Sequence, residues 1–144
     1  MENKPAIVLC GSIAIDRIMD FHGHYKDLIQ PDKIHVLSLS VLVDRLTHSR
    51  GGTAANIAYT LSLLGENPTL LGAVGQDADL YVDALATQGI NITHVYKSNL
   101  PTASFTVLTD EDNNQVGGFY PGAMSDPHIT SLKSWYHTNS LIVI

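Results

Sequence analysis

The chain has 144 residues, enough to bury a hydrophobic core, and 44% hydrophobic with 15% charged residues is the composition of a globular protein. Its formal net charge of −6 leaves no basic surface for a nucleic-acid backbone, so a nucleic-acid partner is not expected. One cysteine, Cys10, cannot form an internal disulfide, and the first apolar run is too short to cross a bilayer. We therefore expect a cytoplasmic protein that is neither secreted nor inserted in a membrane.

The first part of the chain shows two kinds of strand pattern. Ala6–Cys10 is a continuous apolar run, which predicts a central strand buried on both faces of a parallel sheet. Asp16–Phe21 alternates in part and Val36–Ser40 alternates strictly, so both are predicted to be half-exposed strands of a second, smaller sheet. Pro31 and its polar neighbours predict a loop between these two strands.

Helices and strands alternate in the middle of the chain. Gly51 and Gly52 precede Thr53–Leu64, an amphipathic helix by its three- and four-residue spacing. The apolar face of that helix is expected to carry Ala54, Ile57, Ala58, Leu61 and Leu64. The next predicted elements, in the order strand, helix and strand, are Thr69–Val74, Leu80–Gln88 and Thr93–Tyr96. This alternation predicts an α/β core built on a parallel sheet.

A hairpin and an apolar run follow. Ala103–Thr109 and Gln115–Tyr120 flank Asp110–Asn114, a run of turn-forming residues, and this hairpin is expected to join the smaller sheet. Leu141–Ile144 resembles the beginning of a buried strand with no turn or helix after it. We therefore expect the sequence to be the N-terminal part of a longer domain.

Two polar clusters are interpreted as structural, and no metal site is expected. Asp110, Asp112 and Asn114 have calcium-loop spacing, but a glutamine and a proline stand where such a loop needs glycine and glutamate. His22 and His24 lack a second pair of ligands at metal-binding spacing, so both are interpreted as solvated loop residues.

The segment around the two glycines carries the clearest indication of function. Gly51 and Gly52 let the backbone approach a ligand closely, and the helix that they open directs its positive end at whatever binds there. Asn56 can donate to or accept from a hydroxyl. Asp16 follows the central strand, where α/β sheets bind ligands, and its carboxylate suits a vicinal diol. The glycine repeat of dinucleotide-binding proteins is absent, which disfavours a dehydrogenase.

These residues resemble the N-terminal signature of the ribokinase-like (pfkB-type) family of carbohydrate and nucleoside kinases. The matching positions are Gly51, Gly52, Ala54, Asn56, Ala58, Gly65 and Gly75. The likeness is strongest to the bacterial adenosine kinase branch, in the stretches GSIAIDRIM, HVLSLSVLVD, RGGTAANIAY, PTASFTVLTD and FYPGAM. The chain departs from the family at Leu80, where a glycine is usual.

The resemblance implies a fold and a set of substrate-binding residues. The fold would be the N-terminal half of a ribokinase-like α/β domain, with a mostly parallel sheet flanked by helices and a small β-sheet lid. The lid would comprise residues 16–50 and 102–122, and the core would comprise residues 5–15, 51–101 and 123–144. The implied ribose contacts are Ser12, Asp16, Gly52 and Asn56, and Gly51 is a further substrate-binding residue. Ser40 would contact the base edge, and Phe105 and Phe119 the two faces of a purine.

The resemblance also implies an activity for the full-length parent enzyme. It would transfer the γ-phosphate of ATP, with Mg²⁺, to the primary hydroxyl of a nucleoside, adenosine being favoured, and would dimerise through the lid. The family's general base, an aspartate in a Gly-Ala-Gly-Asp-like segment, belongs to the C-terminal half, as does the ATP pocket. The present chain would therefore contain no catalytic residue, bind no cofactor by itself and be inactive alone. The alternatives are a sugar kinase such as ribokinase or fructokinase, or a non-catalytic binding module or one chain of a split kinase.

Overall fold

The computed structural model describes residues 5–126, 131–135 and 139–144, so the predicted core segment 123–144 lies partly outside the described residues. The strands are β1 (Ala6–Cys10), β2 (Ala14–Asp20), β3 (Arg45–Gly51), β4 (Thr69–Val74), β5 (Asn91–Lys97), β6 (Ala103–Thr109), β7 (Gln115–Tyr120) and β8 (Ser140–Val143). The α-helices are α1 (Tyr25–Leu28), α2 (Thr53–Leu63) and α3 (Asp79–Thr87).

The chain divides into two compact units. The first, here called the core unit, contains the described residues of 1–15, 50–104 and 120–144. The second, here called the small unit, contains residues 16–49 and 105–119.

The core unit is built on a parallel sheet with the strand order β5-β4-β1-β8. β1 pairs with β4 and with β8, and β4 pairs with β5, all in parallel. Every residue of β4 is buried, as expected for an inner strand covered on both faces. The predicted parallel α/β core is confirmed, and so is the strand Thr69–Val74 with both of its bounds.

The helix α2 packs on the sheet through small residues. Ala54, Ala55 and Ala58 are buried and belong to the main hydrophobic cluster. Ile57 and Leu64, which were expected on the buried face, are exposed, so that part of the prediction is wrong. Three alanines allow the helix backbone to lie close to the sheet. Leu61 packs against the same cluster, while Ile57 and Leu64 are on the outer face.

The second sheet has the strand order β3-β2-β6-β7. The predicted strand Val36–Ser40 is wrong: a 3₁₀ helix occupies Pro31–Val36, and residues 37–40 are irregular and exposed. The strand in this sheet is instead β3, which the sequence did not reveal because its residues before Gly51 are exposed and mostly polar. An alternating pattern predicts a strand only where one face has something to cover, and no residue from 31 to 40 is fully buried.

The hairpin of β6 and β7 has the predicted bounds. Its turn is closed by a backbone hydrogen bond from Asp110 N–H to the Asn114 carbonyl, and Asn113 has a positive φ of 62°. In the small unit, Phe21, Tyr25 and Val107 are buried.

Within the described part of the chain, none of the helices has the length and apolar character needed to cross a bilayer.

Candidate functional site

The core unit brings Ser12 and the two glycines together. Ser12 follows β1, and the first residues of α2 lie against it: the Thr53 N–H donates to Ser12 Oγ at 2.7 Å. The Ala55 N–H donates to the Ser12 carbonyl at 3.4 Å. Ser12 therefore supports the start of the helix, and its hydroxyl can still donate its own proton to a second group.

Gly52 occupies a position that requires glycine. Its φ of 93° is in the region that L side chains rarely adopt. A Cβ there would lie 2.5 Å from the Ser12 carbonyl oxygen and 2.6 Å from Ile13 Cα. The backbone at Gly52 thus touches the connection between β1 and β2, and any side chain would push the two segments apart.

Asn56 lies one turn further along α2, and its side chain is exposed. Its backbone N–H donates to the Gly52 carbonyl at 2.9 Å. Asn56 lines an open groove of about 360 Å³ together with Thr53, Ile57, Thr60 and Leu61. The start of α2 therefore lies against the residues that follow β1, and the side chains and backbone found there belong to Ser12, Gly51, Gly52 and Asn56. Sheets of this class bind ligands at the carboxyl ends of their strands.

Tyr81 contacts this segment from α3. Its hydroxyl donates to the Gly51 carbonyl at 2.8 Å, and the side chain is buried. The sequence alone did not indicate this residue, because the hydrogen bond depends on tertiary packing. A signal was present, since a tyrosine among the apolar residues of a helix needs a partner for its hydroxyl.

The signature residue Gly75 belongs to a second network. Its N–H donates to Thr102 Oγ1 at 2.9 Å, and the Thr102 hydroxyl and N–H donate to Asp77 Oδ1 at 2.6 and 2.9 Å. A Cβ at Gly75 would lie 2.5 Å from the Leu100 carbonyl oxygen. This network fixes the residues after β4 against the segment that leads to β6. Leu80, the departure from the family pattern, is exposed on α3.

The small unit carries the two aromatic residues. Phe105 and Phe119 are on the neighbouring strands β6 and β7, and both are partly exposed. Gly117 lies beneath the Phe105 ring, since a Cβ there would be 2.8 Å from two ring carbons. Two aromatic faces on an exposed sheet surface are chemically suited to stacking on a flat ligand.

The other two predicted residues of the small unit are less defined by their surroundings. Asp16 is on β2 and half-buried. Ser40 is exposed in the irregular segment after the 3₁₀ helix, so no strand fixes its position.

A polar cluster lies at the tip of the hairpin. Ligand-type atoms of His24, Asp110 and Asp112 are all within 4.8 Å of one another. The Asp110 carboxylate, however, already accepts four hydrogen bonds, from the backbone N–H groups of Tyr25, Asp112 and Asn114 and from the Asn114 amide. Lys26 Nζ pairs with Asp112 at 2.8 Å. The hydrogen bonds and the ion pair of this cluster are therefore those that stabilise the turn of the hairpin.

The histidines beside this turn differ from one another. His22 is exposed and its Nδ1 lies 3.0 Å from Glu111. His24, interpreted from the sequence as solvated, is half-buried, with Nδ1 3.0 Å from Asp112 and Nε2 3.6 Å from Glu111. A hydrogen bond to Glu111, with the charges of Asp44 and Glu111, raises the pKa of His22 above its ordinary value. Burial alone would raise the pKa of Asp110, but its hydrogen bonds outweigh this and lower the pKa to about 2.

A family of known proteins matches most of the chain. The model described as pfkB family carbohydrate kinase matches residues 6–144. Among curated proteins, the nucleoside kinase of Methanothermobacter thermautotrophicus is 36% identical over 107 residues, which are 71% of this chain and 34% of that protein. The chain thus spans about a third of the length of this relative.

Solved structures of two nucleoside kinases are similar to the chain. The Burkholderia thailandensis nucleoside kinase in complex with inosine has a TM-score of 0.68 at 38% identity, over 82% of this chain and 37% of that one. The same enzyme in complex with ADP-inosine has a TM-score of 0.60 at 41% identity, over 82% and 38%. The Methanocaldococcus jannaschii nucleoside kinase, described as an archaeal member of the ribokinase family, has a TM-score of 0.68 at 30% identity, over 84% and 38%. The predicted ribokinase-like fold class is confirmed.

Proposed function

The chain belongs to the pfkB family of carbohydrate kinases, and from that premise we propose that it forms the acceptor-binding part of an ATP-dependent nucleoside kinase. The reaction is transfer of the γ-phosphate of ATP to the primary hydroxyl of a purine nucleoside, with adenosine or inosine as the acceptor. The observation that carries this proposal is the Gly51–Gly52 turn at the start of α2, in a chain that is 38% identical to a nucleoside kinase solved with inosine.

The residues of the core unit suit the hydroxyls of a ribose. The absence of a side chain at Gly52 lets the start of α2 pack against Ser12 and Ile13, and the first turn of α2 contributes the positive end of its dipole. Asn56 offers both a donor and an acceptor from an exposed position. Ser12 keeps one proton to donate after accepting from Thr53. We assign these residues, with Gly51 and with Asp16 of the small unit, to binding and orienting the acceptor rather than to proton transfer.

The residues of the small unit suit the base. Phe105 and Phe119 supply aromatic faces, and stacking on such a face grips a purine whatever its exocyclic groups are. Ser40 is assigned to the base edge, where its hydroxyl can accept from an amino group or donate to a carbonyl. The small unit is proposed to act as a lid that excludes water during transfer.

We assign the ATP-binding site and the general base to residues of the parent enzyme that are not in this sequence. Phosphoryl transfer needs positioned phosphates, Mg²⁺ and a group that accepts the hydroxyl proton. The relative solved with ADP-inosine supports ATP as the donor. No residue of the chain is assigned to ATP or to Mg²⁺, and the cytoplasm remains the predicted location.

A second acceptor class has its own support. The family description names carbohydrate kinases, so ribose or fructose is the alternative acceptor. Nucleoside and sugar acceptors differ in their expected contacts with the small unit, because only a nucleoside has an aromatic ring on which Phe105 and Phe119 can stack.

The experiment is a kinase assay on the full natural polypeptide that carries this sequence. Adenosine, inosine, ribose and fructose are compared as acceptors with Mg²⁺-ATP, and product formation is followed by mass. Turnover of a nucleoside with at least a tenfold higher kcat/KM than of either sugar supports the proposal. Preference for a sugar replaces it with the alternative, and binding of a nucleoside without turnover indicates a binding module or a split kinase.

We also propose that the parent enzyme is a twofold homodimer through the small unit. Apolar side chains of this unit are strongly exposed, among them Ile34, Val36, Leu37, Leu42, Leu46 and Val116. Four of them, Ile34, Val36, Leu37 and Leu42, are on the 3₁₀ helix and the irregular segment after it rather than on a strand. A twofold axis would bring the same apolar patch of two chains together and cover both copies of it. Light scattering at micromolar concentration tests this proposal, and a monomer mass contradicts it.

A further inference from the structure

We propose that Tyr81 is a positioning residue for acceptor binding: its phenol holds the Gly51 carbonyl and thereby sets the direction of the peptide between Gly51 and Gly52. This inference rests on the proposed function of the same turn. Tyr81 is on α3, outside the segment that contacts an acceptor, so its effect is transmitted through the glycine backbone.

The hydrogen bond from Tyr81 determines the orientation of the whole peptide group between Gly51 and Gly52. The Tyr81 hydroxyl lies 2.8 Å from the Gly51 carbonyl oxygen, within the buried part of the core unit. In a trans peptide the C=O and the following N–H point in opposite directions. A carbonyl that is directed at α3 therefore turns the Gly52 N–H away from α3.

The Gly51–Gly52 turn needs such a restraint more than most peptides do. Glycine has the widest choice of backbone conformations, and two in succession would otherwise rotate easily. Gly51 is the last residue of β3, so the strand ladder fixes only its N-terminal side. Contacts with Ser12 and Ile13 limit Gly52 from one direction, and the Tyr81 hydrogen bond limits Gly51 from another.

The hydroxyl of Tyr81 is not explained by packing alone. The residue belongs to the hydrophobic cluster with Val82 and Leu85, where a phenylalanine would bury the same ring. Burying the hydroxyl is favourable only when it has a partner, and here the partner is the carbonyl of a signature glycine.

A matched pair of variants tests the inference. Tyr81→Phe removes one hydrogen bond from a buried tyrosine to a backbone carbonyl. Tyr25→Phe removes another of the same kind and length, since Tyr25 OH donates to the Leu108 carbonyl at 2.8 Å in the small unit. In the full natural polypeptide, inosine and adenosine affinities are measured by calorimetry, and amide hydrogen exchange at Gly52 and Thr53 is measured without ligand.

We expect Tyr81→Phe to weaken nucleoside binding by about fivefold or more and to speed exchange at Gly52. Tyr25→Phe is expected to lower thermal stability to a similar extent while leaving both readings unchanged. Equal effects of the two variants, or a Tyr81→Phe affinity within twofold of the wild type, would overturn the inference. If the wild type binds no nucleoside, the proposed function fails, and exchange at Gly52 still decides whether Tyr81 restrains the turn.

Discussion

The ring of Phe105 lies directly over Gly117, so closely that a single methyl group on Gly117 would be 2.8 Å from two of the ring carbons. The two residues are on neighbouring strands, β6 and β7, and the absent side chain on one strand makes room for the aromatic side chain on the other. Such cross-strand pairs of an aromatic residue and a glycine determine how an aromatic ring is presented on a sheet.

Replacing Gly117 with alanine should therefore move the Phe105 ring and weaken purine binding. We expect Gly117→Ala to raise the KM for adenosine or inosine by about three- to tenfold, since a displaced ring loses part of a stacking interaction. Gly118→Ala is the matched control, because a Cβ at Gly118 meets no atom within 4 Å. Steady-state kinetics of both variants test this prediction, and an equal change in the two would contradict it.

Gly52 and Gly65 have similar backbone conformations but differ in how closely other atoms surround them. Both have a positive φ, 93° at Gly52 and 85° at Gly65, but a Cβ at Gly65 meets open space. Gly65→Ala should cost only the backbone strain, about 1 kcal/mol. Gly52→Ala adds a clash with backbone atoms, so we expect about 2–4 kcal/mol and loss of acceptor binding. Urea unfolding and calorimetry measure the two effects, and similar stabilities would refute the close packing at Gly52.

Asn56 is the side chain from which we expect the largest loss of binding in the core unit. Asn56→Ala should weaken acceptor binding by about 1.5–3 kcal/mol, which is about 10- to 150-fold, because a hydroxyl partner is left unpaired. The side chain is exposed in the free chain, so stability should change little. Asp16→Asn is expected to act in the same direction. Thr87→Ala, on the exposed side of α3, serves as the control, and kinetic constants within twofold of wild type for Asn56→Ala would disprove its assignment.

The hairpin turn should depend on pH through Asp110. Its pKa is about 2 in the folded chain, below the ordinary value of 3.8. The folded state therefore binds the proton less readily than the unfolded state does, and the stabilisation is present above pH 3.8 and lost as the pH falls through about 2. We expect the Asn114 amide signal in NMR spectra to titrate with a midpoint near that pKa. Asp110→Ala should remove the titration and loosen the turn, whereas Asp27→Ala, at an exposed site, should do neither.

His22 should respond to pH in the opposite sense. Its pKa is raised, first by the hydrogen bond to Glu111, so its contribution is present below the ordinary pKa of 6.5 and is lost as the pH rises through the higher folded value. Glu111→Gln should lower the pKa of His22 toward its ordinary value in an NMR titration. An unchanged midpoint would show that the pair does not form in solution.

The sequence predicted the buried elements better than the exposed ones. The bounds of β4 were predicted correctly because a short apolar run between turn residues fits few structures besides a buried strand. Val36–Ser40 failed because alternation describes a face without saying whether anything covers it, and β3 was missed because most of its residues face solvent. The buried face of α2 was predicted only in part from its spacing: Ala54 and Ala58 are buried as expected, whereas Ile57, at the same spacing, is exposed.

The candidate site was predictable only where the chain itself carries the information. Gly52 is required by a local backbone conformation, and the spacing of the signature glycines indicated it. Tyr81 and Thr102 act on residues 30 and 27 positions away, so their roles depend on which elements the fold brings together. No local pattern contains that information.

The alanine face of α2 has a consequence for engineering. A Cβ at Gly11 would already be 3.2 Å from the Ala54 Cβ, so the interval between helix and sheet is set by the smallest side chains available. A larger side chain in place of any of these alanines would move the helix away from the sheet, and Gly52 and Asn56 would move with it. Libraries intended to change acceptor preference should therefore vary the outward positions of α2, such as Ile57, and leave its inner alanines untouched.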